Sequence, residues 1–324
     1  MILGLDTSCY TSSLAIISQT GAIDYERRIL LSVKPGEKGL QQSAAVFQHL
    51  QNLPQLLAGR LASNISIVAA AIRPRPIPGS YLPVFKVSAS FGEMIAQILG
   101  AKFVATSHQE GHIRAGLFDS PGLEMPMLAW HISGGTTELL QVEPAISPGY
   151  QILKLGGSSD LQIGQFIDRV GVALGTGFPA GPALEKLALG SITSKTFPVV
   201  TRGLELSFSG PETAAQKEIN ALKPGLDGAV PPEAAAEIAR RVFNCICRSL
   251  LKVTIQAVAE FKINRVLLVG GVASSEIIRE FFWVEGPPLG IRFYFGPKEL
   301  ASDNAVGVGL IGYDYLRGGA RSRA

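Results

Sequence analysis

The same order of segments occurs twice along this chain, and it limits the folds that the chain can adopt. In each half an apolar segment, a tight polar turn and a second apolar segment predict a β-hairpin. The segments are 2–6, 7–12 and 13–17 in the first half, and 127–132, 133–137 and 138–142 in the second. Each hairpin precedes helical segments and a later apolar strand, at 66–72 and at 265–269. The repeat predicts a duplicated α/β fold with a cleft between its two domains.

Glycine-rich turns follow strands in the second half of the chain. Gly134 and Gly135 lie in the hairpin turn, and Gly270 and Gly271 follow the later strand and precede a helical segment. Glycine lets a ligand approach the backbone closely, and the N–H groups of such turns can bind phosphate. One such turn usually only reverses the chain. Two turns in corresponding positions, together with the glycine-proline segment 177–182, predict a nucleotide site.

Two of the four histidines, His108 and His112, lie four residues apart. In a helix this spacing places both imidazoles on the same face. Neutral imidazole is the commonest protein ligand for zinc and iron, so the pair predicts a metal site, although two solvated or capping histidines are the alternative. A third ligand is required, and Asp303, in a polar turn before the apolar run 305–311, is the best candidate. Two histidines and one carboxylate would leave coordination positions open for a substrate.

The histidine segment differs from the metalloprotease pattern His-Glu-x-x-His. Gln109 occupies the position of the catalytic glutamate, and Glu110 lies two residues after His108, about 200° around a helix. Glu110 is therefore expected to face away from the metal and to have a structural role. No Ser-His-Asp order is present either, so a protease is the least favoured function.

Composition limits the class of protein. With 324 residues, of which 47% are hydrophobic, the chain is long enough for two domains with large cores. No apolar run free of charged, proline or turn residues reaches the roughly 18 residues that span a membrane, so we expect no membrane association. Three cysteines without a disulfide or zinc-ribbon pattern indicate a cytoplasmic protein. A net charge of +3 is weak evidence for nucleic-acid binding.

Seven motifs in order resemble the tRNA threonylcarbamoyladenosine transferase family, which comprises bacterial TsaD and its archaeal and eukaryotic counterparts. The family's older label is O-sialoglycoprotein endopeptidase, peptidase family M22. The resemblance covers essentially the whole chain and implies duplicated actin- and Hsp70-like domains of the ASKHA type with an interdomain nucleotide cleft. The motifs are the segments 108–112, 133–139, 164–169, 179–188, 207–210, 270–272 and 303–304.

This resemblance implies a role for each matching residue. Two histidines and a late aspartate hold an iron or zinc ion in the family, which implies that one divalent metal is bound by His108, His112 and Asp303. An adenylate or ATP-like nucleotide is the second expected ligand. The residues implied to contact it are His131, Ile132, Ser133, Gly134, Gly135, Asp168, Gly181, Glu185, Gly270, Gly271 and Ser275.

The implied reaction is transfer of a threonylcarbamoyl group from its AMP anhydride to N6 of an adenine in tRNA. The metal would anchor the substrate and stabilise negative charge, and the N–H groups of Gly134 and Gly135 would hold the departing AMP. The implied partners are tRNA, a paralogous TsaB-like subunit, other proteins of t6A biosynthesis, and a second copy of the chain. The implied domains are 1–120, completed by a helix at about 303–324, and 121–302.

Four departures from the family pattern predict a divergent paralogue. Tyr10 replaces an acidic residue, Thr136 replaces a histidine, Ser275 replaces an asparagine, and the segment 77–83 replaces a Gly-Pro-Gly turn. Tyrosine cannot act as a carboxylate base at neutral pH, because its ordinary pKa is about 10. No catalytic base is therefore assigned. Two alternatives remain: a related carbamoyl- or acyl-adenylate transferase with another substrate, and a non-catalytic partner subunit that binds nucleotide.

Overall fold

The computed structural model describes residues 1–33, 40–59, 64–120, 122–145, 148–223 and 228–321. The chain divides into two compact units. The first unit comprises residues 1–121, 143–152 and 296–324, and the second comprises 122–142 and 153–295.

Strands and helices alternate along most of the described chain. The strands are β1 (Ile2–Asp6), β2 (Thr11–Ile17), β3 (Ile23–Leu30), β4 (Ile67–Arg73), β5 (Lys102–Ser107), β6 (Met127–Ile132), β7 (Thr137–Pro144), β8 (Tyr150–Ser158), β9 (Val200–Arg202), β10 (Glu205–Ser207), β11 (Arg265–Val269) and β12 (Arg292–Phe295). The helices are α1 (Gln42–Leu57), α2 (Phe85–Leu99), α3 (His108–Gly116), α4 (Ile163–Ala173), α5 (Gly181–Ala188), α6 (Ser209–Leu222), α7 (Pro232–Phe261), α8 (Glu276–Glu285) and α9 (Val306–Arg321).

Two sheets with the same core topology carry these elements. In the first the strand order is β3-β2-β1-β4-β5, with β1 antiparallel to β2 and parallel to β4. In the second the order is β12-β11-β6-β7-β8-β10-β9, with β6 antiparallel to β7 and parallel to β11. The stretch β8-β7-β6-β11-β12 therefore repeats the order of the first sheet. Both predicted hairpins, both later strands and the duplicated α/β architecture are confirmed.

The central strands of the first sheet are buried along their whole length. Every residue of β1 and β2 is buried, whereas the edge strand β3 is partly exposed throughout. A strand covered on both faces is expected to be apolar without alternation, and the two apolar segments of the first hairpin are of this kind. Helix α9 lies directly on β1, since a Cβ on Gly4 would be 2.7 Å from the backbone nitrogen of Gly309. The predicted C-terminal helix is thus present to Arg321, and residues 322–324 lie outside the described part.

Helix α7 forms the centre of the second unit's core. It is long and apolar enough to cross a membrane by length and composition alone, but 56% of its most apolar 18-residue window is buried inside the protein. Thr254 on this helix accepts a hydrogen bond from the indole N–H of Trp130, at 2.9 Å, and both side chains are fully buried. Core packing accounts for the apolar character of α7, so the helix is weak evidence for a membrane span.

Candidate metal centre and nucleotide residues

Helix α3 begins at His108 because the preceding residues cap it. The hydroxyl of Ser107 accepts the backbone N–H of Glu110, at 3.2 Å, and the carboxylate of Glu110 accepts the backbone N–H of Ser107, at 2.9 Å. This reciprocal arrangement is a capping box, and the sequence signal Ser-x-x-Glu at 107–110 could have located the start of the helix. The predicted structural role of Glu110 is confirmed.

Glu110 also anchors a distant segment of the first unit. One carboxylate oxygen accepts the backbone N–H of Tyr150, at 3.2 Å, and the other accepts the hydroxyls of Thr106 and Ser107. Glu110 is 6% exposed, so water cannot replace these bonds. Glu110 therefore joins the start of α3 to the start of β8.

We expect Glu110→Ala to lower the free energy of unfolding by about 2–4 kcal/mol, because several buried donors lose their acceptor. Glu110→Gln keeps one acceptor oxygen and should lose less than half as much. Urea unfolding of both variants measures these losses. Glu280→Ala, at an exposed position of α8, is the matched control. A loss for Glu110→Ala no larger than that of the control would contradict this role.

The three predicted metal ligands lie together in the first unit. His108 and His112 occupy one face of α3 with their ring centroids 4.5 Å apart. Asp303, from the turn before α9, places its Oδ1 atom 3.2 Å from Nε2 of His112 and 3.5 Å from Nε2 of His108. The side chain of His112 is 3% exposed and that of Asp303 is 22% exposed. Two imidazole nitrogens and one carboxylate oxygen thus converge at a site that keeps some access to solvent.

Asp6, at the end of β1, forms a hydrogen bond with Nδ1 of His108, the ring nitrogen that does not face Asp303. Its Oδ2 atom lies 2.8 Å from Nδ1 of His108, and its Oδ1 atom accepts the backbone N–H of Ser8, also at 2.8 Å. A carboxylate in this position keeps the proton on Nδ1 and directs the lone pair of Nε2 toward the metal. Sequence reasoning missed Asp6. The available signal was that Asp6 is a carboxylate at the carboxyl end of an apolar strand, the edge at which α/β sheets bind ligands. The pairing of β4 with both β1 and β5, which brings Asp6 to His108, was visible only in the structure.

The pKa values of the two histidines shift in opposite directions when no metal is bound. Burial disfavours the imidazolium of His108, but the negative charges of Asp6 and Asp303 and the hydrogen bond to Asp6 outweigh it and raise its pKa to about 9. Burial and the positive charge of His108 lower the pKa of His112. A divalent cation supplies the positive charge that the two carboxylates attract, and both imidazoles then act as neutral ligands. The donor set therefore fits a divalent metal ion.

The pH dependence of the metal-free protein should report the pairing of Asp6 with His108. Because the pKa of His108 in the folded state is above the unfolded value of about 6.5, the pairing stabilises the fold fully below that pH. This stabilisation is lost as the pH rises toward 9. In Asp6→Asn we expect the free energy of unfolding to show no such decrease between pH 6.5 and 9. Urea unfolding in the presence of a chelator at a series of pH values measures this. Parallel pH profiles for Asp6→Asn and the wild type would contradict the assignment.

In the second unit the predicted phosphate turn follows β6. His131 is 4% exposed near the end of the strand, whereas Gly134 and Gly135 are exposed in the turn, which is closed by a bond from the N–H of Ser133 to the carbonyl of Thr136 at 2.8 Å. Gly270 has a φ of 93°, and a Cβ there would overlap the carbonyl oxygen of Ile132. The structure therefore brings the turn after β6 and the turn after β11 together.

The remaining predicted nucleotide residues form a second group in this unit. Ser275, the N-cap of α8, donates its hydroxyl to Glu185 at 2.6 Å, and the backbone N–H of Ile277 donates to the same carboxylate at 3.0 Å. Gly181 is the first residue of α5, and the N–H of the preceding Ala180 donates to Asp168 at 2.8 Å. Burial raises the pKa of Asp168. Ser275, which replaces an asparagine of the family pattern, thus holds the carboxylate of Glu185 in place. The resemblance implies that this carboxylate contacts the nucleoside.

Comparison with known proteins identifies first the class and then the family. The chain resembles the activator of the 2-hydroxyisocaproyl-CoA dehydratase from Clostridium difficile, a structure with bound ADPNP, with a TM-score of 0.53 and 16% identity over 99% of this chain and 97% of that one. The predicted ASKHA-type α/β fold is confirmed. The sequence profile of the TsaD family, tRNA N6-adenosine threonylcarbamoyltransferase, matches residues 40–310.

Relatives that carry the family's name match along the whole chain. The tRNA N6-adenosine threonylcarbamoyltransferase of Sulfurihydrogenibium sp. is 31% identical over 97% of this chain and 90% of its own length. The enzyme of the same name from Moorella thermoacetica is 30% identical over 98% of this chain and 92% of its own length. The chain belongs to the TsaD family of tRNA N6-adenosine threonylcarbamoyltransferases.

Proposed function

We propose that this protein transfers a threonylcarbamoyl group from threonylcarbamoyl-AMP to N6 of an adenine in tRNA. The observation that carries the proposal is the convergence of His108 and His112 on Asp303, whose Oδ1 atom lies 3.5 Å and 3.2 Å from their Nε2 atoms, in a chain that belongs to this family. A zinc or iron ion bound there would supply a positive charge that anchors the substrate and stabilises the negative charge developed in the transfer.

Residues of the first unit prepare the metal site. Asp6 keeps the proton on Nδ1 of His108, so that Nε2 is available as a ligand. Glu110 fixes the first turn of α3 and with it the backbone positions of both histidines. Asp303 adds the negative charge that a divalent cation requires.

Residues of the second unit are proposed to bind the adenylate. The exposed turn at Gly134 and Gly135 offers backbone N–H groups to the phosphate and to the AMP that leaves. Asp168 lies beside the start of α5, and Glu185, on α5, lies beside the start of α8; either carboxylate can accept ribose hydroxyls. Ser275 orients Glu185 for this contact. The acceptor amine loses a proton in this step.

The proposed partners follow from the family and from the surface of the first unit. Ser88 and Gly92 of α2 are packed inside the unit, where a Cβ on Gly92 would be 2.9 Å from Phe103. The other face of α2 exposes Met94 and Ile98, and a related TsaB-like subunit or a second copy of the chain could cover these apolar side chains. A cytoplasmic location accords with tRNA as the acceptor.

The decisive experiment is transfer of labelled threonylcarbamoyl from its adenylate onto unmodified tRNA, with the family's partner subunits present. We expect activity in the wild type and in the control Glu280→Ala, and none in His108→Ala combined with His112→Ala. Absence of transfer by a wild type that binds metal and adenylate would reject tRNA as the acceptor. It would then direct the search to other adenylate-dependent transfers, since Tyr10 has replaced an acidic residue.

A further inference from the structure

Cys9 lies at the point where the proposed metal ligands converge. Its Sγ atom, a ring nitrogen of His108 and a carboxylate oxygen of Asp303 all lie within 4.8 Å of one another. The same carboxylate lies 3.2 Å from Nε2 of His112. We propose that the thiolate of Cys9 is the fourth protein ligand of the metal, which makes the resting centre a Cys-His-His-Asp site. This inference rests on the metal site of the proposed function and adds a ligand to it.

The backbone on both sides of Cys9 is held in place. The N–H of Ser8 donates to Asp6, and the carbonyl of Ser8 accepts the N–H of Thr11 at 3.1 Å. The hydroxyl of Thr7 donates to the carbonyl of Val84 at 2.9 Å. Asp6 therefore positions His108 through one carboxylate oxygen and the turn that carries Cys9 through the other. A ligand on an anchored turn loses little conformational freedom when it binds a metal.

The distances allow coordination after a small movement. Zinc–sulfur bonds of about 2.3 Å and zinc–nitrogen bonds of about 2.0 Å place tetrahedral donor atoms about 3.5 Å apart. The donor atoms of Cys9, His108 and Asp303 lie at most 4.8 Å apart. The distances between them would therefore have to shorten by at most about 1.3 Å for all three to bind one metal ion. His108 and His112 already meet Asp303 at 3.5 Å and 3.2 Å, so the adjustment falls mainly on the cysteine side chain.

A sulfur ligand would change which metal the site prefers. Coordination replaces the S–H bond by a sulfur–metal bond, and the proton passes to solvent. Thiolate is a soft ligand that favours zinc over magnesium or manganese, whereas two histidines and a carboxylate alone also accept manganese. Four protein ligands are typical of a closed centre and three of an open one. In the resting centre Cys9 would therefore occupy the position that His108, His112 and Asp303 leave open, and a substrate anchored by the metal would take a fifth position, as in zinc centres that become five-coordinate during reaction.

Cobalt(II) is the probe for the sulfur ligand, because a cobalt–thiolate bond produces an intense charge-transfer band in the near ultraviolet. We expect the band in the cobalt-loaded wild type and in the control Cys245→Ser, whose cysteine is buried on α7. Cys9→Ser should lose the band and bind cobalt at least about tenfold more weakly, since loss of even an outer partner of a metal ligand costs 10- to 100-fold.

Alkylation gives an independent readout. Cys9 is exposed, whereas Cys245 and Cys247 are buried and serve as internal controls. Saturating zinc should slow alkylation of Cys9 at least about tenfold in the wild type, because zinc withdraws electron density from the coordinated sulfur and makes it a weaker nucleophile than a free thiolate. The protection should disappear in His112→Ala.

Three results would overturn the inference. A cobalt spectrum unchanged by Cys9→Ser would do so, and so would alkylation of Cys9 at the same rate with and without zinc. If His112→Ala still abolishes cobalt binding in those cases, the metal site of the proposed function stands and only the sulfur ligand is rejected. A wild type that binds no cobalt rejects the metal site and the fourth ligand together.

Discussion

His112→Ala should abolish metal binding and with it threonylcarbamoyl transfer. The side chain of His112 is 3% exposed, and its Nε2 atom lies 3.2 Å from Oδ1 of Asp303. Replacing a partner that merely hydrogen-bonds to a metal ligand costs 10- to 100-fold in affinity, so loss of a ligand itself should cost at least about 100-fold. Equilibrium dialysis with zinc measures the affinity, and the tRNA transfer assay measures the activity.

The metal-dependent shift in stability separates loss of the ligand from loss of the fold. Zinc at 100 times its dissociation constant should add about 2.7 kcal/mol to the free energy of unfolding of the wild type. The same zinc concentration should add almost nothing to His112→Ala. Each protein is compared with its own metal-free form, so any cavity left by the missing imidazole cancels. An equal zinc-dependent gain in both proteins would exclude His112 as a ligand.

Gly307→Ala should damage both the fold and the metal site of the first unit. A Cβ on Gly307 would overlap the carbonyl oxygen of Gly111, which lies in α3 between the two histidines. Helix α9 would have to move away from α3, and the turn that carries Asp303 lies at the start of α9. Overpacking of this kind costs about 1–3 kcal/mol, to be measured by urea unfolding. Zinc affinity should fall as well, because Asp303 is displaced from His112.

Gly318→Ala, in the same helix, is the matched control for this substitution. Gly318 is exposed, and a Cβ there would meet no atom within 4 Å. Alanine should therefore leave zinc affinity unchanged and stabilise the helix by about 0.5–1 kcal/mol, because it is a better helix former than glycine. If both glycine substitutions give the same small change, the close approach of α3 and α9 is not required for the site.

Local patterns account for what sequence reasoning predicted correctly. The hairpins at β1–β2 and β6–β7 follow from short apolar segments around polar turns, and the shared face of His108 and His112 follows from the period of a helix. Each of these features depends on residues within about fifteen positions of one another. The capping box at Ser107 and Glu110 has the same local origin and was available in the sequence.

The contacts that complete the site join residues far apart in the chain. Asp6 and His108 are 102 positions apart, His112 and Asp303 are 191 apart, and Ser275 and Glu185 are 90 apart. No periodicity specifies such pairs, because they depend on which strands become neighbours. The order of the first sheet places the ends of β1 and β5 on either side of β4, and this brings Asp6 to His108.

The sequence by itself determined the duplicated α/β plan, the histidine pair and, through its motifs, membership of the TsaD family. Only the tertiary structure assigned Asp6 to His108, showed why Gly307 has no room for a side chain, and placed Cys9 beside the proposed metal ligands. The physical reason is that secondary structure follows from local hydrophobic periodicity and turn chemistry. The position of a side chain in a site follows from packing between distant segments, whose separation of a few ångströms no local pattern specifies.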